Sequence, residues 1–68
     1  MKHVSGKRLA EIARSRGWVL VSQAGSHAKY RNPIDAQRVI IPIHGNRDLC
    51  PTTQKGMMRI LGLTDADL

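Results

Sequence analysis

The apolar positions at the start of the chain repeat with the spacing of an amphipathic helix. Leu9 and Ile12 lie one helical turn apart, and lysines and arginines occupy many of the positions around them. Ser5 before this stretch is a favourable N-cap, and Gly17 after it supplies the left-handed residue with which helices commonly end. The pattern therefore predicts a helix over residues 6–16.

Three later segments have the composition of β-strands. β-branched, aromatic and other apolar residues dominate residues 18–23 and 38–43, and residues 27–31 alternate between apolar and polar side chains. Residues 24–26 join the first two segments as a hairpin turn, and residues 32–36 are rich in turn-forming side chains. We therefore expect three consecutive strands joined by two turns.

The alternation in the second of these strands divides its side chains into two sets. Ala28 and Tyr30 share one face, and His27, Lys29 and Arg31 share the other. The pattern therefore places a histidine in line with two cations on one surface of the sheet.

Helical spacing returns near the C-terminus. Pro51 is a favoured first helical residue, and Gly62 can end the helix. A second helix is therefore predicted over residues 51–61, with a stripe of apolar side chains that covers one face of the sheet: Met57, Met58, Ile60 and Leu61.

The order of the elements predicts an α+β fold. A three-stranded antiparallel sheet with two helices on one face would bury the apolar positions and leave the other face polar. This α-β-β-β-α order is the layout of the double-stranded-RNA-binding domain. The chain has 68 residues, and we expect residues 1–68 to form a single domain.

The charge balance favours a polyanionic partner. Eleven lysines and arginines against five acidic residues give a net charge of +6, which attracts nucleic acid, although net charge also serves simply to keep a surface soluble. No segment joins a basic face to a strongly apolar one, so the pattern does not favour a membrane partner. A single cysteine, no long apolar stretch and no signal-peptide pattern lead us to expect the cytoplasm.

His27 is the candidate for acid–base chemistry. A histidine can accept a proton from a ribose 2′-hydroxyl and return one to a leaving oxygen, and the 2′-oxygen as nucleophile makes a metal unnecessary. Lys29 and Arg31 can stabilise negative charge on the phosphate, and the Ser26 hydroxyl can bind a phosphate or orient the imidazole. Further cations can hold the RNA backbone: Lys7, Arg8, Lys55 and Arg59.

Other interpretations of the same residues stay open. A histidine in a turn also suits unusual backbone angles, His44 is either a second acid–base group or a local hydrogen-bonding residue, and Tyr30 either lies in the core or offers its hydroxyl to the site. The three histidines and Cys50 have none of the spacings of a zinc site, and there is no glycine-rich phosphate loop. We therefore expect neither a metal nor a cofactor.

Taken together, the motifs resemble the HicA (YcfA-like) toxin family over nearly the whole chain. The resemblance is carried by an ordered set of blocks rather than by one motif. The blocks are Ser5-Gly6-Lys7, Gly17-Trp18, Gly25-Ser26-His27 followed by Tyr30, Val39-Ile40-Ile41-Pro42-Ile43-His44-Gly45, and Pro51 leading to Gly62-Leu63.

The resemblance implies a toxin of a type II toxin–antitoxin system. It implies a double-stranded-RNA-binding-like fold, metal-independent endoribonuclease cleavage of mRNA with His27 as the catalytic residue, and neutralisation by a HicB-like antitoxin encoded beside it. The chain departs from many members by having Ala28, where they carry a second histidine or a bulkier residue. The alternatives are a non-catalytic double-stranded-RNA-binding module and a degenerate toxin that only binds its antitoxin.

Overall fold

The computed structural model describes residues 1–68 and has the predicted order of helices and strands. A short 3₁₀ turn over Asp65–Asp67 follows the second helix, and no helix is long and apolar enough to cross a membrane. The elements are α1 (Gly6–Ser15), β1 (Val19–Ala24), β2 (His27–Arg31), β3 (Arg38–Pro42) and α2 (Pro51–Leu61). The predicted α+β fold is therefore confirmed.

The start of α1 is fixed by a cap and by a close backbone contact. The Ser5 hydroxyl accepts a hydrogen bond from the Arg8 N–H at 3.1 Å, as expected of an N-cap. Gly6 lies against the end of β3, where an added Cβ atom would stand 1.9 Å from the Pro42 carbonyl oxygen. Only glycine therefore allows α1 to approach the sheet this closely.

Both helices end in the same hydrogen-bond pattern. Gly17 has a φ of 92° and Gly62 a φ of 71°. After α1 the N–H of Trp18 donates to the Ala13 carbonyl at 3.1 Å, and after α2 the N–H of Leu63 donates to the Met58 carbonyl at 2.8 Å. These are Schellman bonds, which satisfy carbonyls that the helices leave unpaired. Trp18 belongs to the motif that ends α1, so β1 begins at Val19 and not at residue 18 as predicted.

The sheet is antiparallel in the order β1-β2-β3, so β2 is its central strand. Gly25 and Ser26 form a two-residue hairpin between β1 and β2. Gly25 has a φ of 58° and Ser26 is not in the positive-φ region, which is the pattern of a type II′ turn. In β1 the pairing skips Val21, which forms a bulge.

Both helices cover one face of the sheet, and the hydrophobic core lies between this face and the helices. Tyr30 and Ile41 are almost fully buried there, and Gln54 is the one buried polar residue. The Gln54 amide accepts a hydrogen bond from the Val4 N–H at 3.3 Å and donates one to the Lys2 carbonyl, so it holds the N-terminal segment against α2.

Two predictions about the apolar positions are wrong. Ile60 is 37% exposed and lines an open pocket with Ile40 of β3, whereas Met57, Met58 and Leu61 are buried as predicted. The sheet face away from the helices is not wholly polar, because Val19 and Ile40 lie on it half-exposed. All of β1 is exposed, whereas β2 and β3 each have two buried residues on the covered face.

Candidate nucleic-acid interface on the open face of the sheet

The sheet surface that faces away from the helices, hereafter the open face, follows from the alternation of buried and exposed residues. The buried residues are Ala28 and Tyr30 in β2, and Val39 and Ile41 in β3. The residues between them, together with the β1 residues paired to them, form the open face: Val19, Ser22, Ala24, His27, Lys29, Arg31, Arg38, Ile40 and Pro42.

His27 is the first residue of the central strand and is exposed on the open face. Its partners in the neighbouring strands are Ala24 in β1 and Pro42 in β3, neither of which has a side chain that donates or accepts hydrogen bonds. No side-chain hydrogen bond or salt bridge of the molecule includes the imidazole. The ring is therefore accessible and available for proton transfer with a ligand.

The hairpin turn determines where His27 lies. Gly25 takes the positive φ that the turn needs, and no other atom lies within 4 Å of the place where a Cβ would be. The Ser26 carbonyl accepts a hydrogen bond from the Ile43 N–H at 2.6 Å, which ties the turn to the segment after β3. The Ser26 hydroxyl makes no hydrogen bond to the imidazole, so the structure supplies no orienting contact from this side chain.

Lys29 and Arg31 lie on the same face as His27, as the alternation predicted. Residues two apart in a strand are separated by about 7 Å, so Lys29 is the nearer cation and Arg31 lies about 13 Å from His27 along the strand. Lys29 is partly buried and Arg31 is exposed. Lys29 is therefore the cation closest to His27 along the strand, and Arg31 lies farther along the same face.

Arg38 completes this surface, and the sequence analysis did not identify it. It is the partner of Arg31 in the register between β2 and β3, so two arginines lie at directly opposite positions on the open face. Arg38 also lines a pocket of about 550 Å³ with Lys29, between the sheet and α2. The alternation in β3, in which Val39 and Ile41 are buried, would have indicated its face. It would not have indicated its neighbour, because that depends on the register.

The four other cations proposed for RNA binding lie on the helices and not on the open face. Arg8 forms a salt bridge with Glu11 at 3.5 Å. Lys55 and Arg59 line a pocket of about 750 Å³ between α2 and the chain termini, together with Met1 and Asp65. These cations (Lys7, Arg8, Lys55 and Arg59) are therefore not among the open-face residues, although Lys7 follows Gly6, which lies against Pro42, the strand partner of His27.

Tyr30 and His44, the two residues with open interpretations, lie in different environments. Tyr30 is a core residue with 1% of its surface exposed, and its hydroxyl accepts a hydrogen bond from the Arg14 guanidinium at 2.7 Å. It therefore does not offer its hydroxyl on the open face. His44 is exposed after β3 and lines a pocket of about 230 Å³ with Arg47 and Asp48, where its carbonyl accepts the Arg47 N–H at 3.0 Å.

Ala28 faces the core, not the open face. It is fully buried between the sheet and the helices, and its partner in β3 is the equally buried Ile41. The side chain at this position is therefore part of the core packing and not of the surface that carries His27. No group of three or more histidine, cysteine, aspartate or glutamate side chains is arranged to hold a metal ion.

Comparison of the chain with known protein families gives a match. The family described as the HicA toxin of bacterial toxin-antitoxin matches residues 6–63, which run from the start of α1 to the residue after the stop of α2. The match includes the whole open face. No curated protein sequence matches the chain.

Proposed function

The chain belongs to the HicA toxin family of bacterial toxin–antitoxin systems, and we propose that it is an endoribonuclease that cleaves mRNA with His27 as general acid and base. Membership of this family implies an antitoxin as partner. The observation that carries the proposal is the exposed imidazole of His27, which has no side-chain partner in the protein and lies two residues from Lys29 on the same face of β2.

The proposed reaction uses the RNA itself as the source of the nucleophile. His27 takes the proton of a ribose 2′-hydroxyl, and the 2′-oxygen attacks the adjacent phosphorus. The bond from phosphorus to the 5′-oxygen breaks, and the imidazolium returns its proton to that leaving oxygen. The products are a 2′,3′-cyclic phosphate and a 5′-hydroxyl, and no metal takes part.

Lys29 is proposed to stabilise the reacting phosphate. Negative charge grows on the non-bridging oxygens as the 2′-oxygen attacks, and a fixed positive charge nearby lowers the energy of that state. The Ser26 hydroxyl at the turn can donate to the same phosphate, because it has no hydrogen bond within the protein. Ser26 directly precedes His27 in the turn, and Lys29 follows it by two residues on the same face of β2.

The helical cations are proposed to hold more distant parts of the RNA backbone. Their contribution is electrostatic, so binding should weaken steeply as salt rises. The antitoxin is proposed to be a HicB-like protein whose binding prevents cleavage. The cations assigned to this outer role are Lys7, Arg8, Lys55 and Arg59.

Expression of the chain without an antitoxin tests the proposal in cells. We expect growth arrest from the unaltered protein and from His3→Ala, a matched control with an exposed histidine outside the open face. We expect His27→Ala to be harmless at the same level of soluble protein. Equal toxicity of His27→Ala would remove His27 from the mechanism.

Purified protein and labelled RNA separate the alternatives. Cleavage that continues in a chelator and leaves 5′-hydroxyl ends supports the proposed reaction, whereas loss of cleavage in the chelator contradicts its metal-free form. Binding without any product indicates a non-catalytic double-stranded-RNA-binding module. Neither binding nor cleavage, with an antitoxin still bound, indicates a degenerate toxin.

A further inference from the structure

Two arginines stand directly opposite each other on the open face. Arg31 in the central strand pairs with Arg38 in β3, and both are exposed. Like charges at directly opposite positions of a sheet repel and destabilise it. The protein therefore keeps a like-charged pair at two exposed positions of the sheet.

No acidic side chain compensates for this pair. The three salt bridges of the molecule lie elsewhere and join the N-terminus to Asp65, Arg8 to Glu11 and Arg16 to Asp67. Asp35 in the loop between β2 and β3 is the nearest carboxylate along the chain. It accepts the N–H of Gln37 at 3.0 Å and forms no salt bridge with either arginine.

We propose that Arg31 and Arg38 together bind a second phosphate of the RNA, distinct from the phosphate that is cleaved at His27. This inference rests on the proposed function and extends it. An anion between the two guanidinium groups turns their repulsion into attraction to a shared partner. Guanidinium groups suit this role because their planar N–H groups form paired hydrogen bonds to phosphate oxygens.

The distance along the strand separates the two phosphate positions. Arg31 is four residues from His27 in β2, which corresponds to about 13 Å, and Lys29 lies between them on the same face. The RNA chain would therefore run along the central strand, with the reacting phosphate at His27 and Lys29 and a positioning phosphate at the arginine pair. Arg31 and Arg38 are positioning residues and take no part in proton transfer.

Measurement of RNA affinity tests the pair. The parent protein carries His27→Ala so that the labelled single-stranded RNA stays intact, and the variants add Arg31→Gln, Arg38→Gln or both. Each single variant should weaken binding about 3- to 10-fold and lower the salt slope by about 1, as expected for one phosphate contact. The double variant should lose less than the product of the two single losses, because both arginines share one phosphate.

Arg47→Gln is the matched control. Arg47 is an exposed arginine in the loop after β3 and lies outside the open face. Its substitution removes the same charge, so a loss that comes only from net charge would appear in it equally. We expect its salt slope to stay closer to that of the parent than the slopes of the two open-face variants. An equal change in all three variants would overturn the proposal.

Thermal unfolding of the same variants gives a second test, because the expected change in melting temperature is not a loss, unlike the expected change in RNA affinity. Removal of one arginine relieves the repulsion, so Arg38→Gln should melt at the same temperature as the parent or higher, although it binds RNA less well. A lower melting temperature together with weaker binding would indicate a structural role and contradict the proposal.

The outcomes also separate this inference from the proposed function. If the unaltered protein cleaves RNA and both arginine variants bind RNA as tightly as the parent, the proposal for the arginine pair is wrong and the nuclease proposal stands. If the variants lose affinity for the antitoxin and not for RNA, the pair binds a protein carboxylate and the phosphate assignment is wrong. If the protein binds no RNA at all, both proposals fail together.

Discussion

The two faces of the sheet use neighbouring residues of the same strands in opposite ways. On the covered face Ala28 and Ile41 are fully buried between the sheet and the helices. On the open face His27 and Ile40, each adjacent in sequence to one of them, are exposed. Stability and the candidate chemistry therefore alternate residue by residue, and substitutions should be able to change one without the other.

The largest effect should come from the neighbouring isoleucines of β3. Ile41→Ala removes a fully buried side chain and should lower the free energy of unfolding by about 2–5 kcal/mol, much of the stability of so small a domain. Ile40→Ala removes a half-exposed side chain and should lower it by less than about 1 kcal/mol. Urea unfolding of both variants measures the difference, and equal losses would show that the faces are not distinct.

Alanine substitutions at two helical glycines should change the free energy of unfolding in opposite directions. Gly6→Ala places a Cβ 1.9 Å from the Pro42 carbonyl oxygen, and relief of that clash should cost about 2 kcal/mol or more. Gly56→Ala in α2 meets no atom within 4 Å, so it should raise the free energy of unfolding by about 0.5–1 kcal/mol. Thermal unfolding checks both, and a stabilising Gly6→Ala would refute the close contact between α1 and the sheet.

Tyr30→Phe tests the covered face for an effect on activity. The substitution removes the hydroxyl that accepts the hydrogen bond from Arg14 and should cost about 1 kcal/mol of stability. RNA cleavage at a temperature where both proteins are folded should stay unchanged, because Tyr30 faces the core. A loss of cleavage without a loss of stability would indicate that the covered face contributes to the chemistry.

The smallest effect should be a change in stability at acidic pH, and it comes from Asp67, which lies on neither face of the sheet. The Thr64 backbone N–H, followed by the Arg16 guanidinium, lowers the pKa of Asp67 below its ordinary value of 3.8. The carboxylate therefore stabilises the fold above pH 3.8, and this contribution disappears as the pH falls through the lowered pKa. Melting temperatures against pH should show a slightly weaker acid dependence in Asp67→Asn. An identical dependence would show that Asp67 contributes nothing.

The elements of the fold could be predicted because their signals are local. Ser5, Gly17 and Gly62 mark helix ends through hydrogen bonds within a few residues, so the predicted bounds differ from the observed ones by about one residue. The common face of His27 and Lys29 likewise follows from alternation within one strand.

The remaining features depend on contacts between distant parts of the chain. The opposition of Arg31 and Arg38 depends on the register between β2 and β3. The connecting loop helps to set that register, and in it Ala36 has a φ of 61°, a conformation that an alanine does not signal. The exposure of Ile60 depends on how α2 lies over the sheet, and helical spacing alone does not determine this.

The central claim is that His27 supports RNA cleavage and contributes nothing to stability. The most direct test measures the cleavage rate of purified His27→Ala beside its free energy of unfolding. We predict a rate at least about 100-fold lower, as expected on loss of a general acid–base group, with a free energy of unfolding within about 0.5 kcal/mol of the unaltered protein. Retained cleavage, or a loss of cleavage that accompanies unfolding, would contradict the claim.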